Sequence, residues 1–130
     1  MSLNDPLANA LSAIKNAEKK GKNELKVTPS SKVIKAILSI LKKEEYIGNF
    51  TFLENNRGGI LTVNLKGRIN DIGPIKPRYP VRLEELEKFE TRYLPSRNFG
   101  KLILSTSKGI MSHDTAKEQK LGGVLLAYVY

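Results

Sequence analysis

The stretch Leu102-Ile103-Leu104-Ser105-Thr106-Ser107-Lys108-Gly109 decides the fold of the C-terminal half of this chain. Its apolar residues predict a strand over 101–106, and Gly109 permits the backbone angles of the tight turn that follows. Hydroxyl groups in such a turn can hydrogen-bond base edges and phosphates, and Lys108 adds a positive charge. The stretch therefore predicts a small surface that contacts a polyanion.

The residues on either side extend this strand into a mostly β module. Ser112 can cap a short helix over 113–120, and a last strand follows over 124–130. Upstream, apolar residues at helical spacing predict a helix over 84–93. The C-terminal half is thus predicted to consist of strands with short helices between them.

The N-terminal part alternates helices and strands. A helix begins at Asp5-Pro6, because aspartate can cap it and proline fits the first helical position. A strand is predicted over 24–28, a second helix up to about residue 45, and a hairpin over 50–66 with its turn at 55–59. Two helices can cover one face of this small sheet. The apolar faces of the two helices are formed by Leu7, Ala10, Leu11, Ile14 and Ala17, and by Val33, Ile34, Ile37, Leu38 and Leu41.

A segment rich in glycine and proline, 67–80, separates the two parts. Because these residues interrupt regular structure, we place the module boundary here. The sequence predicts an α+β fold, in which an N-terminal α-β-α-β-β module over 1–66 packs against a mostly β C-terminal module with short helices over 67–130. The hydroxyl-rich turn belongs to the second module.

The composition indicates an anionic partner. The chain has 130 residues, with 22 Lys and Arg against 13 Asp and Glu, and a formal net charge of +9. Such an excess attracts nucleic acid or an anionic membrane, although solubility alone would also explain it. No apolar run is long enough to cross a membrane and no signal segment is evident, so we expect neither insertion nor secretion. The absence of cysteine excludes disulfides, thiol catalysis and cysteine-ligated zinc.

Residues that could carry catalysis are sparse. His113 is the only histidine, and one histidine offers no multi-ligand metal spacing. Ser112, His113 and Asp114 are neighbours at a predicted helix start, where adjacent side chains do not face one another, so they cannot form a nucleophile triad among themselves. The acidic residues of 84–90 are explained more simply as a solvated helical face. We therefore expect no enzyme, no metal and no cofactor.

Three further motifs each allow a structural and a binding interpretation. Pro29-Ser30-Ser31-Lys32 ends a strand and caps a helix, and a helix N-terminus with hydroxyls and a lysine is also a phosphate seat. Gly122-Gly123 either ends a helix or lets the backbone approach a ligand. Tyr128 and Tyr130 are half-buried strand residues or, as a secondary possibility, stack on a flipped base.

The chain resembles the small ribosomal subunit protein eight family over nearly its whole length. The most specific match is 103–109, continued by Gly122-Gly123 and by Tyr128-Val129-Tyr130. Near the start, Asp5-Pro6-Leu7-Ala8 is similar to the family's opening. The segment Pro29-Ser30-Ser31-Lys32 resembles its Pro-small-Ser-Lys segment.

The middle of the chain resembles one branch of that family. Ile75-Lys76-Pro77-Arg78-Tyr79-Pro80 is similar to archaeal and eukaryotic members, whereas bacterial members have a different middle. The final Tyr130, where bacterial members usually carry tryptophan, points the same way. Val124 is a departure, because bacterial members often carry an acidic residue after the paired glycines.

The resemblance implies a non-enzymatic constituent of the small ribosomal subunit, in the cytoplasm. Members of the family bind an irregular helix in the central domain of small-subunit ribosomal RNA and help to assemble it. Their neighbours are other small-subunit ribosomal proteins, and neither a small-molecule substrate nor a membrane is expected. From the resemblance and the basic flanks together, we expect RNA contacts from Ser30, Ser31, Lys32, Lys76, Arg78, Ser105, Thr106, Ser107, Lys108, Gly109, Gly122 and Gly123.

The chemistry of RNA favours the same interpretation. A-form RNA hides its major groove, so proteins prefer bulges, irregular pairs and the shallow minor groove. Short hydroxyl side chains enter such places where arginines would be crowded, while lysines and arginines supply attraction that is independent of sequence. Two alternatives from other classes remain at this point: an enzyme acting on RNA, and a protein interaction module whose charge is incidental.

Overall fold

Two antiparallel sheets, one in each half of the chain, form the framework of this α+β protein. The computed structural model describes residues 6–27, 32–54, 59–76, 78, 80–96 and 99–130. The chain divides into two compact units, Met1–Asn70 and Asp71–Tyr130. The predicted fold class is therefore confirmed.

The first unit has the predicted order α-β-α-β-β. Its elements are α1 (Pro6–Lys19), β1 (Glu24–Val27), α2 (Lys32–Lys43), β2 (Ile47–Leu53) and β3 (Ile60–Leu65). The sheet has the strand order β1-β3-β2, with both pairs antiparallel. Helix α1 contacts β1 and helix α2 contacts β2, so that the helices shield apolar residues of the sheet.

The two helices form because their apolar residues recur at helical spacing and can be buried on one side. Every residue of the predicted apolar faces is buried except Val33, which is 38% exposed. Gly21 has a φ of 69°, in the left-handed region that glycine tolerates, and it ends α1 as predicted.

Several predicted features of this unit lie outside the described residues. They are the helix cap at Asp5, the strand end at Thr28, the Pro29-Ser30-Ser31 segment and most of the hairpin turn at 55–58.

The second unit is mostly β with short helices. Its elements are β4 (Ile72–Pro74), β5 (Pro80–Val81), a 3-10 turn (Leu83–Glu85), α3 (Leu86–Tyr93), β6 (Lys101–Thr106), β7 (Gly109–Ser112), α4 (His113–Glu118) and β8 (Gly123–Val129). The sheet has the order β4-β8-β6-β7, and the short β5 also pairs with β8. The buried residues of its core are Ile75, Val81, Leu86, Phe89, Leu94, Leu102, Leu104, Met111, Ala116 and Leu125.

The segment rich in glycine and proline contains a short strand that the sequence did not predict. Glycine and proline were expected to interrupt regular structure there; β4 lies within 67–80, and β5 begins at its last residue, Pro80. Proline is tolerated at an edge strand and at the first residue of a strand. Pro74 belongs to β4, which lies at the edge of the sheet, and Pro80 is the first residue of β5. Both prolines therefore occupy permitted positions.

No helix among the described residues is both long enough and apolar enough to span a membrane.

Candidate nucleic-acid interface

The hydroxyl-rich turn joins β6 to β7. Thr106 pairs with Gly109 across the antiparallel hairpin, which leaves Ser107 and Lys108 as the two residues of the turn. Gly109 has a φ of 115°, a backbone angle that residues with a Cβ rarely adopt. The predicted turn therefore closes where the sequence placed it, and glycine is required to close it.

The hydroxyl of Thr106 is committed to holding this turn together. Its Oγ1 donates to the carbonyl oxygen of Gly109 at 2.8 Å and accepts from the backbone N–H of Lys108 at 3.1 Å. These two hydrogen bonds close both sides of the turn. Thr106 thus acts on its own backbone, which distinguishes it from the serines on either side.

The side chains of Ser107 and Lys108 are the most exposed of this turn. Successive residues of a strand point to opposite faces, and Leu104 is part of the buried core, so Ser105 points away from that core. Ser105 is half-buried, whereas Ser107 and Lys108 are exposed. The turn therefore presents two hydroxyls and one ammonium group at the end of a rigid hairpin.

The paired glycines allow three strands to approach one another closely. A Cβ on Gly123 would lie 2.2 Å from the carbonyl oxygen of Ser105, and a Cβ on Gly122 would lie 2.6 Å from that of Val81. Both distances are far below van der Waals contact, so only glycine fits. The two glycines therefore make room for protein backbone, and they follow the end of α4 at Glu118.

The second unit thus gathers seven of the predicted residues into one region. Gly122 and Gly123 lie beside β6 at the base of the turn, because Val124 pairs with Ser105. We call this region the hydroxyl turn; it comprises residues 105–109 with Gly122 and Gly123. The strands of the hydroxyl turn are directly paired and closely packed.

Two predicted basic residues lie on the connection between β4 and β5. Lys76 and Arg78 are both exposed there. The connection leads into β5, whose Val81 pairs with Gly123. The predicted residues Lys76 and Arg78 therefore precede, along the chain, the strand that borders the hydroxyl turn.

Arg82 is a basic residue that the predicted set omitted. It is exposed, it follows β5 directly, and its Cα lies 3.2 Å from the position that a Cβ on Gly122 would take. In the sequence, Arg82 is one of several basic residues in this part of the chain. The pairing of β5 with β8 places Arg82 beside the paired glycines. Only that long-range pairing reveals its position.

The remaining predicted residues belong to the first unit. Lys32 is exposed and is the first residue of α2. Ser30 and Ser31 lie outside the described residues. The hydroxyl turn of the second unit therefore does not include these three.

His113 lies buried behind the hairpin. Its Nδ1 accepts a hydrogen bond from the backbone N–H of Leu102 at 3.0 Å, and its Nε2 lies 2.7 Å from a carboxylate oxygen of Glu90. Because Nδ1 is an acceptor, the proton of the neutral ring is on Nε2, which donates to Glu90. Both ring nitrogens are therefore occupied by protein groups.

Adjacent side chains at the start of α4 were expected not to face one another, and this prediction is wrong for His113 and Asp114. Asp114 Oδ1 lies 3.3 Å from His113 Nε2, because the histidine turns back toward β6. Ser112 instead caps α4, since its Oγ accepts from the backbone N–H of Thr115 at 3.4 Å. The three residues still do not form a nucleophile triad, because the serine hydroxyl is used by the cap.

The environment of His113 keeps it neutral. Burial lowers the pKa of His113, and the nearby carboxylates of Asp114 and Glu90 oppose this without overcoming it. The hydrogen bond from Leu102 also favours the neutral ring, because a protonated Nδ1 could not accept it. His113 is thus a structural link between β6 and α3.

Glu90, His113 and Asp114 bring three possible metal ligands within 4.8 Å of one another. The proton on His113 Nε2 occupies the position that a metal would need. In addition, Lys117 Nζ lies 2.8 Å from Glu90, and Lys101 pairs with Asp114. The geometry fits a cluster of ion pairs better than a metal site.

The C-terminal tyrosines stack on one another. The rings of Tyr128 and Tyr130 have centroids 6.2 Å apart, and Tyr93 stacks on Tyr128 at 5.9 Å. The hydroxyls of Tyr128 and Tyr130 donate to the same oxygen of Asp71 at 3.3 and 3.4 Å. Both are partly buried, as the sequence predicted for the strand interpretation.

The structure is that of a basic α+β protein with two compact units. The family model of ribosomal protein S8 matches residues 5–130. The chain therefore belongs to the ribosomal protein S8 family, which confirms the family named from the sequence. It is accordingly a small-subunit ribosomal protein that binds ribosomal RNA, in a family of structural proteins whose members also bind ribosomal proteins.

Proposed function

We propose that this chain binds an irregular helix in the central domain of small-subunit ribosomal RNA and helps to assemble that domain. The observation that carries the proposal is the rigid hydroxyl turn, in which Thr106 fixes the backbone while Ser107 and Lys108 are exposed. A preorganised turn does not lose conformational freedom on binding, and its short side chains fit a shallow, irregular groove.

The residues divide by role in this proposal. Ser105 and Ser107 contact base edges or sugar hydroxyls, and Lys108 contacts phosphate. Thr106, Gly109, Gly122 and Gly123 shape the surface from which these groups project. Lys76 and Arg78 add attraction that is independent of sequence, and so do Lys32 and the Ser30-Ser31 segment on neighbouring backbone.

The same proposal includes the setting of the protein. The chain belongs to the archaeal and eukaryotic branch of the family, as the stretch 75–80 and Tyr130 suggest. It docks beside neighbouring proteins of the small subunit in the cytoplasm. It has no catalytic step, since the ring nitrogens of its only histidine are both hydrogen-bonded inside the protein.

The double variant Ser105→Ala/Ser107→Ala tests the role of the hydroxyls. We expect it to weaken binding to a central-domain transcript by at least about tenfold, the loss of one or two good hydrogen bonds. Its footprint on the transcript should also lose protection at the contacted nucleotides. The measurements are a filter-binding titration and hydroxyl-radical footprinting.

Thr91→Ala is the matched control. Thr91 is an exposed hydroxyl residue on α3 of the same unit, and it bonds only its own helix, at Glu87. It should leave both readouts unchanged. An unchanged affinity and footprint in the double variant would remove the hydroxyls from the mechanism.

A further inference from the structure

Helix α2 carries a row of lysines with no acidic residue in the helix. Four of its twelve residues are lysine, and none is Asp or Glu. Lys32, Lys35 and Lys42 are spaced by three and seven residues, so they lie on one side of the helix, along one border of the buried apolar residues. The row extends about 15 Å at 1.5 Å per residue. No ion pair within α2 can neutralise it.

An exposed aromatic ring lies beneath Lys35, one member of this row. Phe52, near the end of β2, is 45% exposed, and Lys35 Nζ lies 3.6 Å from the centre of its ring. Water does not favour an exposed phenyl ring, and the ammonium group covers its face by a cation–π contact. The ring is therefore available to a partner that can draw Lys35 aside.

The distribution of charge favours an anionic partner for this unit. Of the whole chain, Met1–Asn70 holds 12 Lys and Arg against 6 Asp and Glu, whereas Asp71–Tyr130 holds 10 against 7. Most of the net positive charge therefore belongs to the unit that does not contain the hydroxyl turn.

We propose that Lys32, Lys35, Lys42 and Phe52 form a second RNA-binding surface, which takes an unpaired nucleotide. The lysines lie along the phosphates of the strand, and the ring of Phe52 stacks on the exposed base. A phosphate draws the ammonium group of Lys35 off the ring, so that binding of the phosphate opens the stacking face. This inference rests on the proposed function and adds a second contact to it.

The chemistry of the surface selects RNA over a protein partner. A row of like positive charges attracts a strand of phosphates, and an aromatic face beside such a row is the usual platform for an unstacked base. A protein interface is instead depleted of lysine at its centre. Charge and aromatic exposure therefore point to the same partner.

Two substitutions separate the roles of charge and ring. Lys35→Gln should reduce affinity for a central-domain transcript and lower its logarithmic salt slope by about 0.7 to 0.9. Phe52→Leu should reduce affinity by about tenfold while leaving the salt slope unchanged, because stacking involves no counterion. Ultraviolet crosslinking of the wild type should attach RNA to the peptide that contains Phe52.

Each variant has a matched control. Lys26→Gln removes an exposed lysine of β1 in the same unit and should change affinity less than Lys35→Gln does. Phe52→Tyr keeps the aromatic face and should restore the binding that Phe52→Leu loses. Circular dichroism and a thermal melt establish that every variant is folded, which the exposure of Phe52 and the partial exposure of Lys35 favour.

The outcomes distinguish this inference from the proposed function. If the wild type binds and Ser105→Ala/Ser107→Ala weakens it while Lys35→Gln and Phe52→Leu match their controls, this second surface alone is disproved. If these two variants bind RNA normally but enter small subunits poorly, the surface contacts protein and the inference is wrong. If the wild type ignores the transcript, the proposed function fails, and the inference with it.

Discussion

Three consecutive hydroxyl residues have different physical roles in this chain. Ser105, Thr106 and Ser107 are alike in sequence chemistry, but only Thr106 makes both hydrogen bonds that close the turn. Its Oγ1 also lies 3.9 Å from the sulfur of Met111, at the edge of the buried core. We therefore expect a substitution at Thr106 to act first on folding, and a substitution at Ser107 to act first on binding.

Thr106→Val tests this division at the level of stability. Valine keeps the shape of threonine but removes both hydrogen bonds, so we expect unfolding to become easier by about 1 to 2 kcal/mol. Chemical denaturation followed by circular dichroism measures the change.

Ser107→Ala serves as the comparison for that experiment. Ser107 is exposed, so its removal should change the free energy of unfolding by no more than about 0.5 kcal/mol. Equal effects of the two substitutions on stability would contradict the distinct role of Thr106.

His113 should make stability depend on pH in a known direction. Burial lowers its pKa below 6.5, so below that pH the unfolded chain binds the proton more readily than the folded chain does. The contribution of His113 to the free energy of unfolding is therefore complete above about pH 6.5 and is lost as the pH falls below that value. The groups that face the ring are Glu90, Asp114, Lys101 and Lys117.

Denaturant titrations between pH 5 and 7 measure this slope, and His113→Asn provides the comparison. Since the chain has a single histidine, the slope in this interval should become shallower in the variant. Burial alone would raise the pKa of Asp114, but the hydrogen bond from Lys101 and neighbouring positive charge together outweigh burial, and the pKa is lowered. Protonation of Asp114 therefore also decreases stability on acidification, but only below about pH 3.8. Stability that grew on acidification would contradict the neutral, buried state of His113.

At the scale of the elements, strand β8 holds the second sheet together. It pairs with β4, β5 and β6, and its first residues pass between Val81 and Ser105. Gly123 opens β8 and Gly122 precedes it. Neither glycine has a positive φ, so their role is to leave room rather than to permit a special backbone angle. The shape of the hydroxyl turn therefore depends on residues about 15 positions further along the sequence.

Gly123→Ala tests the need for this close approach. A Cβ would lie 2.2 Å from the carbonyl oxygen of Ser105, so the strands must separate. We expect a loss of stability of about 1 to 3 kcal/mol, or more where the sheet cannot relax. The amide resonances of 104–110 should shift in the nuclear magnetic resonance spectrum.

Gly67→Ala is the contrasting substitution. Gly67 has no atom within 4 Å of a would-be Cβ, but its φ is 72°, so any cost there is conformational. It should leave the resonances of 104–110 in place. An equal disturbance of these resonances by both variants would contradict the packing role assigned to Gly123.

Local patterns predicted those elements that depend on local physics. Helices α1 and α2 follow from apolar residues at helical spacing, and β6 follows from an apolar run next to a turn. Strands β4 and β5 do not follow from local patterns. Each has only two or three residues and contains a proline, and each becomes a strand only by pairing with β8. Pairing partners distant in sequence leave no local signal.

The same limit applies to the candidate site. The residues of the turn were predicted because they are contiguous in sequence. The position of Arg82 and the contact of Lys35 with Phe52 depend on which elements pack together, so sequence patterns did not predict them. The tautomer of His113 was equally inaccessible, since it is set by the backbone N–H of Leu102.

At the scale of the whole molecule, positive charge is spread over both units while the shape-reading groups are local. A net charge of +9 attracts any nucleic acid, but it cannot distinguish an irregular helix from a regular one. In the proposed function, discrimination comes from the hydroxyl turn and from the surface formed by the α2 lysines with Phe52. The proposal therefore assigns affinity and selectivity to different groups of residues.

The most direct test of this account compares two RNAs with the full chain over a range of salt concentrations. One is a transcript of the central domain of small-subunit ribosomal RNA, and the other is a fully paired duplex of equal length. We predict that both lose affinity with rising salt, by a logarithmic slope of roughly 0.7 to 0.9 per phosphate contacted, and that the transcript keeps a clear preference at moderate salt. Equal affinity for the two RNAs at every salt concentration would contradict recognition of RNA shape by the hydroxyl turn.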